Sequence, residues 1–323
     1  MKSLNSKLRS GAALMLALWA LFLLSAMIIS WALDINSRLA VSGNANRVLE
    51  AQAMASSGAE VALNPDISPG SPNLHRQMGD RESYDVQMTG ECGRLNLNLL
   101  IPGGQENQAY VEILRRYLVL KGVELNERDR MVDSLLDWIS PTRGFHRLNA
   151  CPETEDYRPP HIGRLDSVDE LKKVCGWEEF TSKPGWDEDF TVVGGCGTIA
   201  LAWASRDVLR ALEIGDDRVD RFLQLRRGSD GIDGTADDLH FGAAIGGKIQ
   251  GGTTGGSMPP EVQATLGLTP EWFSKYQNLV TFESLVSRIV SAGKSGDITR
   301  SVQMIVSKAG GARGLQVISW KEL

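Results

Sequence analysis

The sequence predicts an α+β fold: a long N-terminal helix, a small domain with an antiparallel sheet, and a mostly α-helical domain inserted between its strands. Three observations predict it. Residues 12–33 carry no charged side chain. Apolar and polar residues alternate over 84–101, and short strand-like runs return after Thr281. Between them, over 107–225, apolar residues recur mostly at helical spacing. The helices therefore interrupt the sheet.

The uncharged segment 12–33 is long enough to span a membrane. At about 1.5 Å per residue its helix would measure about 33 Å, more than a hydrocarbon core of about 30 Å. Asp34 follows the segment, and the basic residues precede it, namely Lys2, Lys7 and Arg9. By the positive-inside rule the N-terminus lies in the cytoplasm and the remainder of the chain lies outside.

The first 11 residues differ from an ordinary secretory signal, which has a shorter apolar region and a cleavage site on its far side. Here the plausible processing point, Gly11, precedes the apolar segment. The span would therefore survive cleavage. The alternative is an uncleaved signal anchor.

Residues 34–64 continue the helix beyond the span. Apolar residues recur near helical spacing in this region, and Pro65 ends it. The apolar stripe is narrow, so we expect this soluble half to rest on a globular domain.

The strands and helices follow in order. Residues 84–101 are interpreted as two strands around Gly90–Gly93, ending at Pro102. Helices are expected over 107–225, and later strands at 301–306 and 315–320.

The net charge argues against bulk binding of nucleic acid. The chain has 34 Lys and Arg against 40 Asp and Glu, a formal charge of -6. Removing the three basic residues of the leader would bring it to about -9, whereas phosphate binding requires a positive field.

Four cysteines lie beyond the span, where disulfides persist. Their spacing contains no Cys-x-x-Cys pair, so two disulfides are expected rather than a zinc site. Three connectivities are possible, and the sequence does not choose among them. One of them joins Cys92 to Cys196 and Cys151 to Cys175, which would tie the sheet to the inserted helices and a loop to the helix that follows it.

An acidic loop at 230–238 is a candidate calcium site. Glycines there permit tight turns that let carboxylate oxygens converge on a hard cation. The loop does not match the EF-hand register, so a solvated acidic turn is the alternative. Its candidate ligands are Asp230, Asp233, Asp237 and Asp238, and a second candidate group is Glu153, Glu155 and Asp156.

The Gly-rich segment 242–257 contains Gly-x4-Gly-Lys, but Ile249 stands where a phosphate-binding loop needs a hydroxyl. The segment is interpreted as a flexible connector.

The basic leader ending at Gly11, the cut on its cytoplasmic side and the long helix resemble class III signal peptides of type IV pilins and pseudopilins. Most of those proteins have Glu at the fifth mature position, but counting from Ala12 this chain has Leu16. Lack of that Glu, and a chain of twice the usual length, resemble the K-type minor pseudopilin of type II secretion. Ala12 departs from the Phe or Met that is usual at the first mature position.

Later segments also resemble this family, in the family's order over nearly all of the chain. They include a helix ending in Asp-Trp-Ile, a degenerate acidic loop, the start of a helix-hairpin-helix unit and a closing strand. The segments are 132–139, 149–157, 165–177, 198–212 and 315–322.

The resemblance implies a fold and a site of action. A pseudopilin-like α/β domain would comprise 65–106 and 281–323, and the inserted helical domain (helix-hairpin-helix or SAM-like) would comprise 107–280. A prepilin peptidase would remove residues 1–11. The mature protein would cross the inner membrane once, with its N-terminus in the cytoplasm and its C-terminal domain in the periplasm. The family's helical domain holds calcium, which favours calcium as a ligand here.

The resemblance also implies a function in assembly. The K-type subunit caps a short pseudopilus and pairs with I- and J-type minor pseudopilins through its N-terminal helix. Leu16 fits the tip position. In the family the Glu at this position engages the N-terminal amine of the subunit above, and a terminal subunit has no subunit above it.

Two alternatives remain at this point: a minor type IV pilin at a pilus tip, and a signal-anchored periplasmic enzyme. The enzyme is disfavoured, because the sequence has neither His-Glu-x-x-His nor Gly-x-Ser-x-Gly. Its four histidines lie far apart, at His75, His146, His161 and His240.

Overall fold

The structure, a computed structural model, describes residues 4–64, 66–142, 146–235, 237–238, 258–307 and 315–323. The helices are α1 Leu4–Val61, α2 Gln108–Leu120, α3 Leu125–Ile139, α4 Glu178–Thr181, α5 Arg206–Ala211, α6 Asp216–Arg226, α7 Pro260–Leu266 and α8 Pro270–Tyr276. The strands are β1 His75–Gln77, β2 Glu82–Gly90, β3 Leu95–Asn96, β4 Phe190–Thr191, β5 Ile199–Ala200, β6 Val280–Thr281, β7 Val286–Ser295, β8 Ile298–Ser307 and β9 Gln316–Glu322. The predicted α+β class is confirmed.

Helix α1 is continuous over 58 residues. It contains a stretch long and apolar enough to cross a membrane, and none of that stretch is buried against the rest of the chain. The last turns of α1 pack on the protein: Ala51, Ala55 and Ala59 are 0% exposed, and Ala62, which directly follows the helix, is 1% exposed. The helix ends before Pro65, which cannot continue it.

The main sheet has five antiparallel strands in the order β1-β2-β7-β8-β9. Strand β2 pairs with β7 so that Glu82 lies opposite Ser295 and Gly90 opposite Ser287. The two central neighbours are thus almost 200 residues apart in the chain. All the described helices from α2 to α8 lie between them in sequence.

Small residues let α1 approach the sheet closely. A Cβ added to Gly293 on β7 would lie 2.9 Å from the Cα of Ala55, and still closer to the backbone of Ala51. A Cβ added to Gly58 on α1 would meet the side chains of Ser291 and Val86. The helix therefore lies directly on the strand, and apolar side chains of β2 and β8 close the core around it.

The inserted helices form a second, larger core. It includes Tyr117, Trp177 and Phe190, whose rings meet edge to face. Trp177 is fully buried and donates its indole N–H to the carbonyl of Met131, 2.9 Å away. Burial of large aromatic rings with their polar groups satisfied stabilises this domain independently of the sheet.

Two details of the predicted strands are wrong. The chain at 95–101 makes only the short strand β3 and then turns of 3-10 helix, and Leu95, Leu97 and Leu100 belong to the core of the helical domain. Their alternation reflects burial in that core rather than a second strand of the sheet. Strand β7, in contrast, was not predicted although it is central.

Candidate assembly surface and cation loop

Helix α1 exposes apolar side chains both within the predicted span and between that span and the sheet. Leu16 is 71% exposed within the span, and beyond the span Leu39, Val41 and Leu49 each remain about two-thirds exposed. Residues 34–50 rise about 25 Å above the span before α1 meets the sheet. A helix with apolar side chains and no intramolecular partner is a site where another helix can pack. The predicted processing point between Gly11 and Ala12 lies within the bounds of α1.

A buried ion-pair network joins the sheet to the helical domain. The carboxylate of Glu91 is fully buried and accepts two hydrogen bonds from Arg288 on β7, at 2.6 and 3.0 Å. It also accepts from Arg94 at 2.8 Å and from the hydroxyl of Thr191 at 2.6 Å. Such a carboxylate tolerates burial because donors surround its charge. Sequence analysis did not identify it, since Glu91 and Arg288 are remote in the chain.

A disulfide between Cys92 and Cys196 reinforces the same junction. Both sulfurs are buried, and they pack with Val286 and Ile305 of the sheet. Of the three possible connectivities, the structure therefore has the one in which a disulfide ties the sheet to the inserted domain.

The second disulfide, Cys151–Cys175, holds the polar loop that follows Trp138. That loop also docks on α3: the amide of Cys151 donates to Ser134, and the amide of Arg147 donates to Asp137. The Asp137 carboxyl is 2% exposed, and its burial raises its pKa above the ordinary value.

The acidic loop brings three of its four aspartates together. Carboxylate oxygens of Asp230, Asp237 and Asp238 lie within 4.8 Å of one another. The Asp237 carboxylate accepts hydrogen bonds from the hydroxyl and amide of Ser229 and from the hydroxyl of Thr235, which hold its pKa below the usual range. Burial raises the pKa of the neighbouring Asp238. Repulsion among these carboxylates favours a bound cation.

Asp233 does not join that group. Its carboxylate forms two hydrogen bonds with Arg226, at 2.7 and 2.9 Å, and one with Arg227 at 3.1 Å. Arg226 is 4% exposed and also donates to the carbonyl of Ala204. The backbone carbonyl of Asp233 accepts from Gln87 of β2 at 2.6 Å. Asp233 thus anchors the loop to both domains.

The second predicted cation group is not assembled. Glu153, Glu155 and Asp156 are all exposed, and within the described residues they form no cluster of three convergent carboxylates. The Gly-rich segment 242–257 lies outside the described residues.

Helices α5 and α6 form the predicted helical hairpin. Its turn contains Glu213 with φ 65°, a left-handed conformation that costs a non-glycine residue strain. The Glu213 carboxylate bonds Arg116 of α2 at 2.6 Å and Lys275 of α8 at 2.7 Å. Those ion pairs hold the turn of the hairpin against helices α2 and α8 of the helical domain.

The described histidines are dispersed. His75 pairs with Asp85 at 3.0 Å, and His146 with Asp137 at 2.9 Å. His161 lies 3.0 Å from the carbonyl of Ser140. Each has a local structural partner, and His240 lies outside the described residues.

No protein-family model and no curated protein sequence matches this chain. Among solved structures, the crystal structure of the GspK-GspI-GspJ complex from the type 2 secretion system of enterotoxigenic Escherichia coli contains a similar chain. The alignment covers 90% of this chain and 99% of that chain, with a TM-score of 0.55 and 11% identity. The two chains share a fold. At this identity the likeness establishes the architecture, and it is consistent with the resemblance to the K-type pseudopilin predicted from sequence.

Proposed function

We propose that this chain is a minor pseudopilin that forms the tip of a type II secretion pseudopilus. The observation that carries the proposal is helix α1, which is exposed over 13–39, contains an apolar stretch long enough to span a membrane, and packs on a sheet over its last turns. That arrangement is suited to a subunit anchored in a membrane and assembled through its helix. The similar fold of a chain in the GspK-GspI-GspJ complex supports it.

In this proposal the N-terminus faces the cytoplasm and the folded domains lie in the periplasm. A prepilin peptidase cleaves after Gly11, and the new amine of Ala12 is methylated. I- and J-type minor pseudopilins pack against the exposed side chains of α1 beyond the span. The subunit acts in protein secretion by assembly rather than by catalysis.

The tip position rests on two features. Leu16 supplies no carboxylate to bind the amine of a subunit above it. The helical domain has a larger buried core than the sheet domain. Its bulk would obstruct the stacking of further subunits above this chain.

The first test is intact-mass measurement and N-terminal sequencing of the protein extracted from membranes. The proposal predicts a chain that begins at methylated Ala12. A chain that retains Met1 or Lys2 would indicate an uncleaved signal anchor and would refute it. Co-purification with I- and J-type subunits then separates a secretion pseudopilus from a type IV pilus.

We also propose that Asp230, Asp237 and Asp238 hold a calcium ion. The three convergent carboxylates suit a hard cation, which would supply the positive charge that offsets their repulsion. Asp233 would act only as an anchor, since its oxygens are engaged by arginines.

Thermal unfolding of the full chain with added Ca²⁺ tests this second proposal. We expect Ca²⁺ to raise the melting temperature of the wild type and of Glu155→Gln, a matched control outside the cluster. Asp230→Asn should abolish that rise. An equal rise in Asp230→Asn would contradict the assignment.

The proposal includes no nucleic-acid partner. Helical hairpins that bind phosphate do so with a positive field, whereas the arginines of this hairpin are matched in number by acidic residues, among them Glu213 in its turn and Asp216 and Asp217 in the first turn of α6.

A further inference from the structure

Strand β9 is an open edge of the main sheet. Among the described residues its only sheet neighbour is β8, and all seven of its residues are exposed. Three of them are large and apolar, and each is between 43% and 44% exposed: Val317, Ile318 and Trp320. Within the described part of the chain, no side-chain hydrogen bond or ion pair ties these three residues to another element. Long, apolar, unpaired edges pair readily with other strands, so soluble proteins usually protect them.

The opposite edge of the same sheet is protected. Strand β1 has three residues, and His75 pairs across to Asp85 while Arg76 adds a charge. Short length and charge are the usual protection of an edge strand. Strand β9 also carries the charged residues Lys321 and Glu322, so the contrast between the two edges lies in the seven-residue length of β9 and in its exposed apolar side chains.

The direction of the backbone groups on β9 follows from one hydrogen bond. The amide of Leu323 donates to the carbonyl of Ser301 on β8, 2.9 Å away. Because successive residues of an antiparallel strand alternate in direction, Lys321 also turns its N–H towards β8. Trp320 and Glu322 therefore turn their N–H groups outward.

We infer that the outer edge of β9 receives an extended strand from a neighbouring minor pseudopilin, which extends the sheet by antiparallel pairing. This inference rests on the proposed function. Main-chain hydrogen bonds to Trp320 and Glu322 would give the affinity, and the apolar side chains of β9 would contact the added strand.

The direction of the strands excludes antiparallel pairing of β9 with an edge strand of a second copy in the same membrane. The hydroxyl of Ser295, at the end of β7, donates to Glu50 of α1 at 2.7 Å. Further along α1, Gly58 lies against Ser291. Strand β7 therefore runs towards the membrane, and the antiparallel order makes β1 and β9 run the same way.

Both edge strands of a second copy in the same membrane would also run towards the membrane. Neither could pair antiparallel with β9 unless its α1 pointed away from the bilayer. For the antiparallel pairing inferred here the added strand must run away from the membrane, so it comes from a different chain.

Hydrogen–deuterium exchange at single-amide resolution tests the inference. The full chain would be studied in detergent, alone and with full-length I- and J-type minor pseudopilins of the same system. In the complex, exchange at Trp320 and Glu322 should slow by about tenfold or more. Exchange at Lys321 and Leu323, already bonded to β8, should change little.

Two substitutions at one position separate backbone pairing from side-chain contact. Trp320→Pro removes the outward N–H, and proline is tolerated on the open side of an edge strand. Trp320→Thr removes the indole but keeps the N–H. We expect Trp320→Pro to weaken the complex by about tenfold or more and Trp320→Thr to weaken it less, since only the former loses a main-chain hydrogen bond. Unchanged exchange in β2 and β7 would show that both variants fold.

The outcomes are distinguishable. If the complex forms but Trp320 and Glu322 still exchange rapidly, or if Trp320→Pro binds like the wild type, strand addition is wrong and the proposed function stands. If no complex forms with the I- and J-type subunits, the proposed function fails and the inference fails with it.

Discussion

The close contact of α1 with β7 makes Gly293→Ala a sensitive test of the packing. The new Cβ would lie 2.9 Å from the Cα of Ala55, whereas an ordinary carbon contact is about 3.5 Å. Helix α1 must therefore move away by at least about 0.6 Å, which forfeits a quarter or more of each dispersion contact that it loses. Because the obstructing atoms are backbone, we expect a cost near the upper end of the usual range for overpacking, about 3 kcal/mol.

That cost corresponds to a fall of about 6–12 °C in melting temperature, as for a domain of 150–250 residues. Thermal unfolding of the detergent-solubilised chain, followed by near-UV circular dichroism, measures it. The matched control is Gly43→Ala on the same helix, where a Cβ meets nothing within 4 Å. It should stabilise the chain by about 0.5–1 kcal/mol, because alanine favours a helix more than glycine does. A melting temperature for Gly293→Ala within about 2 °C of the wild type would refute the described seating of α1.

Three further predictions concern the junction and the buried carboxylates. Replacing both cysteines of the Cys92–Cys196 disulfide with serine should cost about 4–5 kcal/mol in urea unfolding, because the bond closes a loop between residues 104 apart; unchanged stability would contradict this. Glu91→Gln should cost about 3 kcal/mol, since it leaves Arg288, whose side chain is only 19% exposed, without a counter-charge, and recovery in Glu91→Leu with Arg288→Met would support that cause. Burial raises the pKa of Asp137, so the folded chain holds that proton more tightly than the unfolded chain. The stability of the wild type relative to Asp137→Asn should therefore fall as the pH rises above the ordinary aspartate pKa of about 4, and parallel pH profiles would exclude the effect.

The long helix could be predicted because its determinants are local. A run without charge, apolar spacing beyond it and Pro65 at its end each act within a few residues. Strand β7 could not be predicted in the same way. Its buried face presents Ser291 and Gly293 to α1 and has Ile289 as its one large apolar residue, so the face that is most buried does not have an apolar pattern.

The candidate cation site shows the same division. The sequence places four aspartates within 230–238 but cannot say which of them converge. In the folded chain Asp233 is not part of the convergent group, because it pairs with Arg226, a buried residue of α6 that also donates to the carbonyl of Ala204. Burial of an arginine requires a carboxylate partner, and this requirement arises only once the helices have packed.

The sequence by itself determined the helix that is long and apolar enough to span a membrane, the α+β class and the interruption of the sheet by helices, because hydrophobic spacing specifies local structure. Tertiary structure alone decided which cysteines pair, which aspartates converge and that Glu91 meets Arg288. It also decided that β9 is an open edge, because the place of a strand in a sheet depends on pairings between residues remote in the chain.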